Sequence, residues 1–208
     1  RSVKLLPVGV ERGYYTATGP LVGWLVRSGI RPNTITTVGT LLVVVSAVLF
    51  GFGHIRAGGV VLLLSGAMDT LDGAVARLGA TASRFGAFYD STLDRISDGA
   101  TFIGIAAYLL HAPDVAYRNL AIILCMVATL ASLVVSYARA RAEGLGIDCR
   151  VGFAQRAERI IGLALASMLV GAGPRALVLE AIVALLAIAS IITVVQRFVF
   201  VYRATKGA

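Results

Sequence analysis

Charge is scarce in this chain. Asp, Glu, Lys and Arg make up 14% of it, where a soluble globular domain carries about 25%. That shortage argues against a water-soluble fold. Cysteine is scarcer still. The two present, Cys125 and Cys149, match neither a disulfide framework nor a zinc pattern, so both read as free thiols. Cys125 sits in an apolar run and Cys149 in a polar loop. The first thirty residues lack a compact apolar core followed by a small-residue cleavage site, so no signal peptide is expected.

What the chain does have is apolar sequence. Hydrophobic residues make up 58%, and mean hydropathy is +0.85. The excess falls in runs long enough to cross a bilayer, which takes roughly 20 apolar residues per helix. Six such runs are predicted, at 34–53, 58–78, 86–110, 119–141, 155–173 and 176–201. Residues 8–28 interleave Val10, Tyr14, Leu21, Trp24 and Leu25 with Glu11, Arg12 and Arg27. That pattern predicts an amphipathic helix lying on the membrane surface. Pro32 suits the first turn of the helix that follows, where Asn33 or Thr34 can satisfy free backbone groups. The expected fold is therefore all-α: one polytopic membrane domain over 1–208, with a surface helix at 8–28 and a six-helix bundle at 34–201.

Net charge is +8. The basic residues flank apolar segments, which favours lipid headgroups and phosphorylated substrates over nucleic acid. With six spans, all but three of the 19 Lys and Arg fall on the side of the termini, the exceptions being Arg56, Arg118 and Arg175. The positive-inside rule then places both termini in the cytoplasm, in a multi-pass protein of the cell membrane.

Two pairs of carboxylates lie within the second and third runs. Asp69 and Asp72 lie late in the second span, Asp90 and Asp94 early in the third. Spacings of three and four put each pair on one helix face. The short connection suggests that the two helices are antiparallel neighbours, which brings all four to one depth near the cytoplasmic surface. A lone Asp at mid-membrane costs roughly 2.5–3.5 kcal/mol, and four together repel. Hard divalent cations prefer oxygen ligands, and a pair of them sharing carboxylates is a phosphoryl-transfer arrangement. Gly73, Ala74, Ala76 and Gly86 are small enough either for close helix packing or to leave room for a nucleotide.

Cations crowd the second half of the same end. Positive-inside anchoring accounts for Arg150, Arg203 and Lys206. It accounts poorly for Arg139, Arg159 and Arg197, each on an otherwise apolar helix. Arg156 and Arg159 lie one helical turn apart. Arginine forks match phosphate oxygens, so these residues point to a phosphate pocket.

The stretch DTLDGAVARLGATASRFGAFYDSTLD, residues 69–94, resembles the signature of the CDP-alcohol phosphatidyltransferase family. Asp69, Asp72, Gly73, Ala76, Arg77, Gly86, Asp90 and Asp94 match its fixed positions without a departure. The resemblance implies attack of an alcohol on the β-phosphorus of a CDP-linked lipid, with CMP leaving. It implies Asp69, Asp72, Asp90 and Asp94 as ligands of Mg²⁺, two per site, with Mn²⁺ as the alternative, and Asp94 also as the general base. It carries contacts to CDP-diacylglycerol onto Arg31, Pro32, Asn33, Thr34, Asp69, Gly73, Arg77 and Ser83. The run from Arg95 to Gly99, the SYARARAE segment (136–143) and Gln155 to Ile161 resemble the actinobacterial-type phosphatidylinositol phosphate synthases of that family. That likeness nominates Ser136, Arg139, Arg156, Arg159 and Arg197 as contacts to inositol phosphate.

Glycerol 3-phosphate would also need a phosphate pocket, so phosphatidylglycerophosphate synthesis stays open. Family members also commonly form homodimers. A divalent-cation transporter is the reading from a different class. Against it, no carboxylate occurs among residues 41–64 or 99–113 to form a second polar station.

Overall fold

The computed structural model describes residues 19–152 and 156–206. Residues 8–18 of the expected surface helix lie outside the described residues. Residues 19–27 are helical. Val22 of this segment is buried against Ile35, Leu71 and Val75, while Leu21 and Trp24 face outward.

Six longer helices follow. They are α1 (Pro32–Gly51), α2 (Ile55–Leu78), α3 (Arg84–His111), α4 (Arg118–Glu143), α5 (Arg156–Leu169) and α6 (Leu177–Thr205). A single 3₁₀ turn, Pro174–Ala176, precedes α6. No strand occurs among the described residues. Four of these elements are long and apolar enough to cross a membrane: α1, α2, α4 and the stretch Pro174–Thr205 that contains α6. α3 has the length but carries Arg84, Asp90, Asp94, Arg95 and Asp98 before its apolar stretch. α5 has 14 described residues.

The boundaries follow local chemistry. α1 starts at Pro32, which fits the first turn because its missing N–H would have no helical partner there. Asn33 and Thr34 are inside the helix instead of capping it, and the N-cap residue Arg31 makes no side-chain capping hydrogen bond. Thr37 instead returns its hydroxyl to the carbonyl of Asn33. At α3, Ser83 Oγ accepts the Gly86 N–H at 2.9 Å, an N-cap of the usual kind.

Packing corrects one expectation. α2 and α3 are not close neighbours along their length; α1 packs against both. Small residues explain this. A Cβ added to Gly104 of α3 would run into the backbone of Ala47 on α1, and one on Gly39 of α1 would lie 3.1 Å from Met68 Cβ on α2. α1 is thus wedged between the two aspartate helices. α5 packs mainly on α2, and α6 on α4.

The main apolar core fills the half of the bundle away from the aspartates. Phe50, Leu62, Ile105, Leu109, Leu179 and Val183 are fully enclosed there. The outward faces are also apolar, with Leu41, Phe52, Ile103, Met126, Leu130 and Leu185 exposed. Such a surface suits lipid tails, not water. Both cysteines are free and buried. Cys149 is fully enclosed, despite its polar neighbours in sequence, because the 144–152 segment folds back onto α6: a Cβ on Gly152 would overlap Thr193 Cγ2.

Candidate active site

One end of the bundle collects nearly every residue that the sequence nominated. The last turns of α2 and α4, the first turns of α1, α3 and α5, and the end of α6 all bear on it. Asp69 and Asp72 come from α2, Asp90 and Asp94 from α3. Asp72 feels the charges of Asp90 and Asp69, and Asp94 those of Asp90 and Asp69. The two pairs therefore face each other across the gap beside α1.

α1 also orients the carboxylates. Thr36 Oγ1 donates to Asp72 Oδ2 at 2.7 Å, and Asp72 is buried. The Thr37 hydroxyl meets the Tyr89 hydroxyl at 2.9 Å, tying the start of α1 to α3. Thr36→Val keeps the side-chain shape but removes the donor. The expected result is a loss of about 1.5–3 kcal/mol, the scale of a hydrogen bond to a charged group, read as a lower Tm in detergent. An unchanged Tm would mean that the hydroxyl does not support Asp72.

The central cation of the site is Arg156. Its Nη1 contacts Asp69 Oδ2 and lies 2.9 Å from Asp94 Oδ1, and its Nε is 3.6 Å from Asp98 Oδ1. Arg156 was expected among the phosphate contacts; here it lies between carboxylates of α2 and α3. Arg95 adds a contact of 3.4 Å to Asp94. As the side chains stand, no three Asp, Glu, His or Cys among the described residues converge on one point. The donor set nevertheless fits a hard divalent cation. It is all carboxylate oxygen, and the guanidinium between Asp69 and Asp94 marks where positive charge is held.

Asp98 is the residue that sequence reasoning missed. It is 6% exposed, and its Oδ2 accepts from Arg159 Nη2 at 2.8 Å. A signal was present: Asp90, Asp94 and Asp98 repeat every four residues along one face of α3.

The other nominated arginines differ in their settings. Arg159 and Arg197 are both 5% exposed. Arg197 Nε donates to Val151 O at 3.0 Å, and its Nη1 to Val135 O, pinning the 144–152 segment to α4. Arg139 is exposed and pairs with Glu143 at 2.8 Å. Arg197 feels the charges of Cys149, Arg139, Arg159 and Glu143. Ser136 returns its hydroxyl to Ser132 O at 3.2 Å. Among the residues expected to meet the nucleotide, the Arg77 guanidinium lies over Gly73: a Cβ there would be 3.2 Å from Arg77 Nη1. A Cβ on Gly86 would be 3.3 Å from Asn33 Oδ1 and 3.1 Å from Ser83 Oγ, so the start of α1 meets the α2–α3 connection.

The family model for CDP-alcohol phosphatidyltransferases matches residues 30–203. Phosphatidylinositol phosphate synthase of Mycobacteroides abscessus is 38% identical over 192 residues, covering 92% of this chain and 86% of the relative. Archaetidylinositol phosphate synthase of Methanothermobacter thermautotrophicus is 38% identical over 180 residues, covering 86% and 87%. The crystal structure of the Mycobacterium tuberculosis phosphatidylinositol phosphate synthase with CDP-DAG bound superposes with a TM-score of 0.79 at 38% identity, covering 89% of this chain and 93% of that one. The same enzyme in complex with manganese and citrate gives 0.80 at 37% identity, covering 89% and 88%. The chain belongs to the CDP-alcohol phosphatidyltransferase family.

Proposed function

We propose that this chain is a phosphatidylinositol phosphate synthase. It transfers the phosphatidyl group of CDP-diacylglycerol to a hydroxyl of inositol 1-phosphate and releases CMP. The observation that carries this reading is the joining of two anion-handling centres at one end of the bundle. Carboxylates of α2 and α3 meet around Arg156 at one, and the buried Arg159 and Arg197 lie at the other. An acceptor that bears its own phosphate needs the second centre; a neutral alcohol does not. Inositol phosphate products in the names of bacterial and archaeal relatives support the choice of acceptor.

Asp69, Asp72, Asp90 and Asp94 would hold divalent metal, Mg²⁺ or Mn²⁺. When bound, it offsets the charge of the pyrophosphate and of the leaving phosphate. Asp94 takes the proton from the acceptor hydroxyl. The freed oxygen bonds to the β-phosphorus, and the bond from that phosphorus to the oxygen bridging the two phosphates breaks, with the electron pair leaving on CMP. Gly73, Arg77, Ser83 and the segment from Arg31 to Thr34 line the CDP side, and Ser136, Arg139, Arg156, Arg159 and Arg197 the acceptor side. The six helices form a single membrane domain, with α3 and α5 spanning beside the four more apolar helices. α3 is about 42 Å long at 1.5 Å per residue, so it crosses with its acidic half at the cytoplasmic surface. The helical start of the chain lies on that surface, and both termini are cytoplasmic.

Purified protein is expected to release CMP from CDP-diacylglycerol with inositol 1-phosphate and Mg²⁺, and not with free inositol. Chelation should abolish the release and Mg²⁺ or Mn²⁺ restore it. Release only with glycerol 3-phosphate would keep the aspartate chemistry and replace the acceptor. Metal-dependent flux without any release would overturn both.

A further inference from the structure

Asp98 stands apart from the four aspartates of the family signature. At 6% exposure, it is more enclosed than Asp69 or Asp94, whose side chains are 28% and 19% exposed. It lies one turn farther along α3 than Asp94, on the same face. Its Oδ2 takes a hydrogen bond from Arg159 Nη2 at 2.8 Å, and its Oδ1 is 3.6 Å from Arg156 Nε. The first contact is a true hydrogen bond. The second is charge proximity alone, and Arg156 Nε has no hydrogen-bond partner among the described residues.

Two physical facts follow. Asp98 is walled in by the guanidinium groups of Arg156 and Arg159, where the side chain of Asp94 is more open. It also supplies negative charge beside a cluster in which Arg95 and Arg156 both act on Arg159, and Arg139 and Arg159 on Arg197. Without it Arg159 would lose that counter-charge while Arg95 and Arg156 still bear on it. A guanidinium has five N–H donors in a fixed fork. A carboxylate that occupies one edge of the Arg159 fork fixes the plane of the rest, which is how an arginine is pre-organised for a phosphate.

We propose that Asp98 is a positioning residue for the acceptor. It holds Arg159, and through charge Arg156, at the angle needed to receive the phosphate of the acceptor alcohol. It also joins the acceptor pocket to the carboxylate that takes the proton, because Arg156 spans Asp98, Asp94 and Asp69. The inference rests on the proposed reading of the arginines as the acceptor site.

The test is steady-state CMP release by full-length Asp98→Asn, with the donor and the acceptor varied in turn. The expected result is an acceptor KM raised about tenfold or more, the scale of one displaced charge-assisted hydrogen bond. The KM for CDP-diacylglycerol should stay within a factor of about two, and kcat should fall less than the acceptor KM rises. Equal rises in both KM values, or no rise in either, would overturn the proposal. A double-mutant cycle with Arg159→Ala adds a readout that general weakening of the fold would not give. If Asp98 acts through Arg159, adding Asp98→Asn to Arg159→Ala raises the acceptor KM little further; a full multiplicative rise would overturn it. Should Asp98→Asn not fold, Asp98→Glu keeps the charge and displaces it by one methylene. There a raised acceptor KM supports the proposal and an unchanged one overturns it. The parent protein separates this from the wider reading. If it uses a phosphorylated acceptor other than inositol 1-phosphate, the same ratios are read with that acceptor. If it prefers an unphosphorylated alcohol, the acceptor reading fails before Asp98 is tested.

Discussion

Asp94→Asn yields a folded protein in which kcat for CMP release falls by about 10²–10⁴-fold, the usual contribution of a positioned general base. Asn keeps the size of the side chain and one carbonyl oxygen, but it cannot take a proton from the acceptor hydroxyl. Asp94 suits that role by its setting. Its carboxylate is 19% exposed, open enough for a substrate hydroxyl, and its Oδ1 lies 2.9 Å from Arg156 Nη1. The loss should appear in kcat at saturating donor and acceptor, with the donor KM little changed. That is the reverse of the pattern expected for Asp98→Asn, although the two carboxylates are one turn apart on α3. A Tm within a few degrees of the parent and retained binding of CDP-diacylglycerol would show the fold intact. A kcat within threefold of the parent would remove Asp94 from proton transfer.

The site was partly legible in sequence because helical spacing is a local property. Asp69 with Asp72, and Asp90 with Asp94, share faces whatever surrounds them, and six apolar runs correspond to six helices within a few residues at most ends. What lay between the faces was not legible. A short connection suggested direct pairing of α2 and α3, yet Gly39 and Gly104 admit α1 between them. That rearrangement is what makes Thr36 a partner of Asp72. Arg156 was readable as a cation one helical turn from Arg159. Which anion it would meet depended on how α5 crosses α2, a tertiary fact with no local signature. Asp98 continued the four-residue row on α3 but fell beyond the family signature, which ends at Asp94. Arg197 was read as a phosphate contact. The structure also ties it to two backbone carbonyls, a demand that no side-chain pattern records.

Gly59→Leu is expected to prevent folding, and the reason bears on the site as much as on the core. A Cβ built on Gly59 of α2 would lie 2.6 Å from Met168 N and 2.8 Å from Ala164 O of α5. Those are backbone atoms, unable to swing aside like the end of a side chain. Any side chain there forces the two helices apart. α5 packs chiefly on α2, so this crossing fixes where α5 begins, and α5 begins with Arg156 and Arg159. Gly59→Ala should cost about 1–3 kcal/mol, the usual penalty for overpacking a close contact. Any folded fraction should combine a raised acceptor KM with slower CMP release, because Arg156 would be pulled away from Asp69 on α2. Gly162, on α5 itself, is the matched control. A Cβ there meets nothing within 4 Å, and Ala is a better helix former than Gly by up to about 1 kcal/mol. Gly162→Ala should therefore leave the yield and Tm in detergent unchanged or raised. If Gly59→Leu folded with the Tm of the parent, the α2–α5 crossing would not be what sets the arginines against the aspartates. If Gly162→Ala failed as badly as Gly59→Leu, α5 would be intolerant of any added side chain, and the close backbone approach would lose its special place in the argument.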